Sequence, residues 1–167
     1  MSPRPFLIKR VHAGAVASLG SVRAKLWPDA SASEHERDGR DLLSQPDRYV
    51  AFLAMSQADE CLGFAEASIR RDYVNGCDTS PVLFLEGIYV EASMRRSGIA
   101  RALCVQIEQW GMERGCTEFA SDTALSNIDA QAIHRALGFN ETERVVFFRK
   151  LCGEASENSQ PPVRARR

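Results

Sequence analysis

A chain of 167 residues, 44% of them hydrophobic, has enough apolar side chains for one ordinary core and too little length for two full-sized domains. With 21 basic and 22 acidic residues the formal charge is −1, so the overall balance calls for neither nucleic acid nor an anionic membrane surface as partner. The five cysteines, Cys61, Cys77, Cys104, Cys116 and Cys152, are odd in number and show no C-x-x-C pair or histidine spacing, which argues against a disulfide framework or a structural zinc. No segment has signal-peptide form or approaches the roughly 20 apolar residues of a membrane-spanning helix. The expectation is a cytoplasmic protein with reduced thiols, no metal and no membrane contact.

In chain order, Phe6–Val11 alternates as a strand does, and Ala13–Leu26 carries apolar residues at helical spacing. After the Trp27-Pro28-Asp29 break, Ser33–Leu43 reads as a second, polar helix with Ser31 or Ser33 as its N-cap. Tyr49–Met55, Cys61–Arg71 and Val82–Val90 read as an antiparallel meander, punctuated by Gln57–Glu60 and by the turn-rich Asn75–Pro81. The apolar spacing predicts a helix over Gly98–Glu113, ended at Arg114-Gly115. A strand at Thr117–Asp122, a helix over Asp129–Leu137 ended by Gly138, and a last strand at Arg144–Leu151 complete the pattern. The class is α+β: a mixed sheet of six or seven strands with helices on both faces, in one domain over residues 1–152. Residues 153–167, rich in Ser, Pro, Glu and Arg, form an expected disordered tail, because such a segment buries too little apolar surface to order itself. Without the tail's three arginines and two glutamates the remainder carries −2.

The chemistry begins at Leu83–Val90, an apolar strand leading through Glu91–Met94 into Arg95-Arg96-Ser97-Gly98-Ile99-Ala100-Arg101. A basic, glycine-containing turn that opens a helix gathers unpaired backbone N–H groups at the positive end of the helix dipole, which is a geometry for pyrophosphate. Gly98 lets the backbone come close, Ala100 keeps the second approach point small, and Arg95, Arg96 and Arg101 supply charge. On these residues alone, a solvated basic turn before an amphipathic helix serves equally well.

The wider pattern separates the two readings. The loop resembles the acetyl-CoA motif of the GCN5-related N-acetyltransferase (GNAT) superfamily, an Arg/Gln-x-x-Gly-x-Gly/Ala turn, matched by Arg95, Gly98 and Ala100. In that superfamily the preceding strand, here Ile88, Tyr89 and Val90, pairs with the pantetheine amides. The second signature is matched by Asn127, Ala130 and Gly138-Phe139. The resemblance implies acetyl-CoA as co-substrate on residues 88–90, 95–101 and Asn127. Many members carry a tyrosine four residues before the Gly-Phe that protonates the departing thiolate. Here that position is His134, a residue able to donate a proton near neutral pH or simply to pack.

An amine with a pKa near the lysine reference of about 10.4 costs roughly 4 to 5 kcal/mol to neutralise at pH 7, so an acidic pocket must bind it and pass on its proton. Glu86 interrupts an apolar strand two residues before the pantetheine stretch, and Asp122 ends the next strand. Over Leu26–Lys150 the chain is similar to the aminoglycoside 6'-N-acetyltransferases, on segments that include Leu26–Ala30, Gly63–Ala67, Arg71–Gly76, Leu85–Val90, His134–Phe139 and Glu141–Val146. That likeness implies an aminoglycoside held by Trp27, Tyr73, Glu86, Asp122 and Glu143, direct transfer to its 6'-amine with Glu86 as base or water-orienting group, histidine as a subgroup feature at position 134, and a homodimer. The residue types suit a polycationic amino sugar, since carboxylates pair with ammonium groups and aromatic rings cover apolar sugar faces. Singly, Trp27 also reads as a core plug, Tyr73 as a loop residue and Glu143 as a surface charge. Transfer to a polyamine or a protein N-terminus, and acetyl-CoA binding without turnover, stand as alternatives.

Overall fold

The computed structural model describes residues 6–152, which divide into two compact units, one ending at Ser121 and the other beginning at Asp122. In the first unit the elements run β1 (Phe6–Arg10), a 3-10 turn at Ala13–Ala15, α1 (Val16–Leu26), α2 (Ala32–Leu43), β2 (Tyr49–Ser56), β3 (Cys61–Arg70), β4 (Val82–Val90), a second 3-10 turn at Ala92–Met94, α3 (Ile99–Met112) and β5 (Phe119–Ser121). The strands lie in chain order, antiparallel from β1 to β4, with β5 parallel to β4.

Side-chain alternation divides the sheet into two buried faces. On one, Ala51, Leu53 and Met55 of β2 and Phe64 of β3 pack with Leu19 and Val22 of α1 and Leu42 of α2. The alternate residues Val50, Phe52 and Ala54 are equally buried, so the opposite face needs its own cover. α3 supplies it, laying Gly111 so close to Leu83 that an added Cβ would meet that side chain at 2.7 Å. Helices on both faces of a mixed sheet are therefore present, as the pattern predicts. α2 starts one residue early, on Ser31: its hydroxyl accepts from the Glu34 amide while the Glu34 carboxylate accepts from the Ser31 amide.

The second unit holds α4 (Ile128–Leu137), begun by the Asn127 side chain and ended at Gly138 with φ +101°. Here the structure corrects the expectation. The sheet has five strands, not six or seven, because Arg144–Leu151 forms no strand among the described residues. Its alternating apolar pattern is real, but a strand exists only where a neighbouring edge accepts its backbone hydrogen bonds. Val146, Phe147 and Phe148 are instead exposed, Phe148 to 93%. The expected tail lies outside the described residues.

Candidate functional site

The β3/β4 ladder contains one irregularity, and it falls at Glu86. Glu66 pairs with Gly87 and Ala67 with Leu85, so Glu86 is the extra residue of a β-bulge. The bulge turns its side chain toward the Ser68 and Arg70 side of β3. Ser68 Oγ donates to Glu86 Oε1, and Arg70 Nη2 donates to both carboxylate oxygens at 3.0 and 3.1 Å. The Arg70 guanidinium in turn lies 3.3 Å above the centre of the Phe84 ring. Ser68 and Arg70 were not legible as site residues, since only the register across a bulge brings them to Glu86.

Beside the bulge stands Trp27, the residue that closes α1 by donating its backbone N–H to the Arg23 carbonyl at 2.8 Å. Its indole covers Gly87 so closely that a Cβ there would sit 2.5 Å from Cη2. The edge of Phe64 supports the ring at 5.8 Å between centroids. Trp27 is thus half-buried wall and part of the core at once. Tyr73, in the β3–β4 loop, is 78% exposed and contributes nothing to that core.

β5 pairs with β4 only along Leu83–Leu85, so Glu86–Val90, which include Ile88, Tyr89 and Val90, keep their ladder with β3 and pair with no second strand among the described residues. The chain then reaches the loop, where Arg96 (φ +60°) and Gly98 (φ +88°) are both left-handed on either side of Ser97. Ser97 ties the turn down by donating to the Met94 carbonyl, and Arg95 Nε donates to the Val90 carbonyl at 3.3 Å. Gly98 is the N-cap of α3, offers no side-chain cap, and has no atom within 4 Å of where a Cβ would stand. The first-turn amides of Ile99, Ala100 and Arg101 have no intrahelical acceptor by the geometry of any α-helix. A 14-residue helix with an uncapped, sterically open N-terminus, flanked by Arg95, Arg96 and Arg101, fits a pyrophosphate, and the one-sided edge of β4 fits an amide-bearing arm. Bound acetyl-CoA supplies an acetyl group activated as a thioester.

The remaining expected residues lie in the second unit. Asp122 and Glu143 are exposed. Asn127 Oδ1 accepts from the Ala130 amide at 3.0 Å, which makes it first of all a helix cap. His134 is fixed between the Ala130 carbonyl, 2.7 Å from Nδ1, and the Phe139 ring at 5.4 Å. With the Nδ1 proton given to that carbonyl, a neutral ring presents only a lone pair at Nε2, and an acid must be the imidazolium.

Four of the five cysteines are poor nucleophiles. Burial pushes the Cys104 thiol up to about 12, and it raises those of Cys61, Cys77 and Cys116 as well. No group of three or more metal-ligand side chains occurs among the described residues. No helix among them is long and apolar enough to cross a membrane.

An anion cradle at a strand-to-helix turn, fed by a bulged strand that is paired on one side only among the described residues, defines the acetyltransferase class. A family model described as the acetyltransferase (GNAT) family matches residues 19–139, and the chain belongs to that family. Within it the relatives are specific. The aminoglycoside N(6')-acetyltransferase type 1 of Salmonella typhimurium is 50% identical over 131 residues, 78% of this chain and 89% of that protein. Its namesake from Acinetobacter baumannii is 50% identical over 133 residues, 80% and 90% of the two chains. Among solved structures, the aminoglycoside 6'-N-acetyltransferase AAC(6')-Ih from Acinetobacter baumannii matches with TM-score 0.85 at 44% identity, over 89% of this chain and 100% of that one. AAC(6')-Iy, solved in complex with the bisubstrate analog CoA-S-monomethyl-acetylneamine, matches with TM-score 0.83 at 45% identity, over 89% and 99%.

Proposed function

We propose that this chain transfers the acetyl group of acetyl-CoA directly to the 6'-amine of aminoglycoside antibiotics, conferring resistance, and that it works in the cytoplasm as a homodimer. The observation that carries the reading is the position of Glu86, on a bulge at the point where β4 loses β5 and begins its one-sided edge. A carboxylate there meets an amine arriving beside the thioester, and the likeness to relatives named for aminoglycosides supplies the class of amine.

Glu86 is the proposed binder of the 6'-ammonium. A carboxylate has about four acceptor sites, and Ser68 and Arg70 occupy three, so one remains for the substrate. That makes orientation of the amine its first task, with proton removal direct or through an ordered water. Backbone N–H groups of β4 near Val90 donate to the carbonyl oxygen on which negative charge develops. Trp27 and Tyr73 cover the sugar rings, while Asp122 and Glu143 pair with further ammonium groups. His134, as imidazolium, returns a proton to the departing sulfur. Most of the rate then comes from aligning two substrates.

Homodimer formation is supported by the exposed apolar run Val145–Phe148 with Leu151, a patch of the kind that a second copy covers. Residues 1–152 are the proposed catalytic domain and 153–167 its tail. A panel assay of thiol release with kanamycin, tobramycin, spermidine and lysine-containing peptides tests the substrate class. Turnover with the two aminoglycosides alone is expected, and turnover with peptides alone would overturn the proposal.

A further inference from the structure

We infer that His35 and the buried Arg23–Glu66 ion pair are positioning residues that set the Trp27 indole against the Glu86 bulge, and so determine affinity for the aminoglycoside. The inference rests on the proposal that Trp27 and Glu86 face the drug. Four elements converge on this one residue. From α2, His35, 3% exposed, brings Nε2 within 2.9 Å of the Trp27 carbonyl, which can only accept. The ring therefore carries its proton on Nε2, and its buried Nδ1 has no hydrogen-bond partner among the described residues. A polar atom is left buried so that this single bond can form.

From α1, Arg23 is 0% exposed, its Nη1 lying 3.3 Å from Glu66 Oε2 as an ion pair and its Nη2 donating to Asp38 Oδ2 at 3.4 Å, with its guanidinium 5.4 Å from the Trp27 ring centre. Glu66, 1% exposed, is the register partner of Gly87, the residue the indole covers. The contacts thus form a closed circuit: Glu66 to Arg23, Arg23 to Trp27, Trp27 to Gly87, and Gly87 across the ladder to Glu66. A hydrocarbon pair of the same volume avoids the desolvation cost of this ion pair, so stability alone does not account for it. What the ion pair supplies is a charge held in place: with Glu66 opposite it, the Arg23 guanidinium stays against the Trp27 ring, beside a residue whose backbone conformation aims Glu86.

The chain has two tryptophans, so Trp110→Phe leaves Trp27 as the sole emitter. In that background we compare His35→Leu, His35→Gln, whose amide still donates, and the double exchange Arg23→Met with Glu66→Leu. The Leu variant and the double variant are expected to red-shift Trp27 emission and raise the KM for kanamycin about tenfold, with the KM for acetyl-CoA unchanged. The Gln variant restores most of both. If His35→Leu fails to fold, the double variant and His35→Gln carry the test. Folded variants with unchanged emission, or with equal rises in both KM values, overturn the inference. Trp27→Ala is the control for the underlying reading: an unchanged kanamycin KM there refutes the drug-facing wall, while the emission data still report on positioning.

Discussion

The proposed cofactor loop and the Glu86 bulge lie one after the other on the same stretch of chain, yet they are built on opposite terms. At Arg95–Ala100 the work is done by main chain: two left-handed residues, an uncapped helix and room above Gly98. At the bulge it is done by side chains from four different elements that meet only after folding. A backbone site tolerates sequence change wherever the dihedral angles survive. A side-chain site fails whenever one partner is lost.

Four substitutions or treatments break or sharpen that contrast. Glu86→Gln keeps the shape and removes the charge, and kcat/KM for kanamycin is expected to fall about 10²-fold or more in steady-state assays. Gly87→Ala forces a methyl group into the Trp27 ring, 2.5 Å from Cη2, where relief requires the indole to move. Such overpacking is expected to cost about 1–3 kcal/mol, read as a lowered Tm, together with a raised kanamycin KM. Gly98→Val places a β-branched residue at φ +88° and closes the open space over the helix terminus. It is expected to cost about 1–2 kcal/mol in strain and to raise the KM for acetyl-CoA while leaving that for kanamycin alone. A thiol-alkylating reagent at neutral pH should leave turnover unchanged. With Cys104 held near 12, only about one thiol in 10⁵ is ionised at pH 7, and the thiolate is the reactive form. Rapid inactivation that tracks Cys104 modification would count against direct transfer.

The two regions also differ in how far the sequence revealed them. As an anion-binding turn the loop was legible from local features, a glycine, arginines around it, a strand before and a helix after; as an acetyl-CoA loop it was legible only through the wider pattern with Asn127, Ala130 and Gly138-Phe139. Glu86 and Trp27 stood out by type and by family resemblance, a carboxylate inside an apolar strand and an indole before Pro28. Ser68, Arg70, Arg23 and His35 did not, because each acquires its role from register across a bulge or from packing between α1 and α2. At Arg144–Leu151 the reverse holds: alternation predicts a strand, and none forms among the described residues. A period of two says which face would be buried, but says nothing of whether a neighbouring edge is there to pair with.

The central claim, that the bulge delivers Glu86 to the 6'-amine of an aminoglycoside, is tested most directly by locating the acetyl group. Kanamycin incubated with the full chain and acetyl-CoA, then analysed by mass spectrometry and two-dimensional NMR, should carry a single acetyl on the 6'-nitrogen, with the yield sharply reduced by Glu86→Gln. Acetylation at a different amine, or an undiminished yield from the variant, would contradict it.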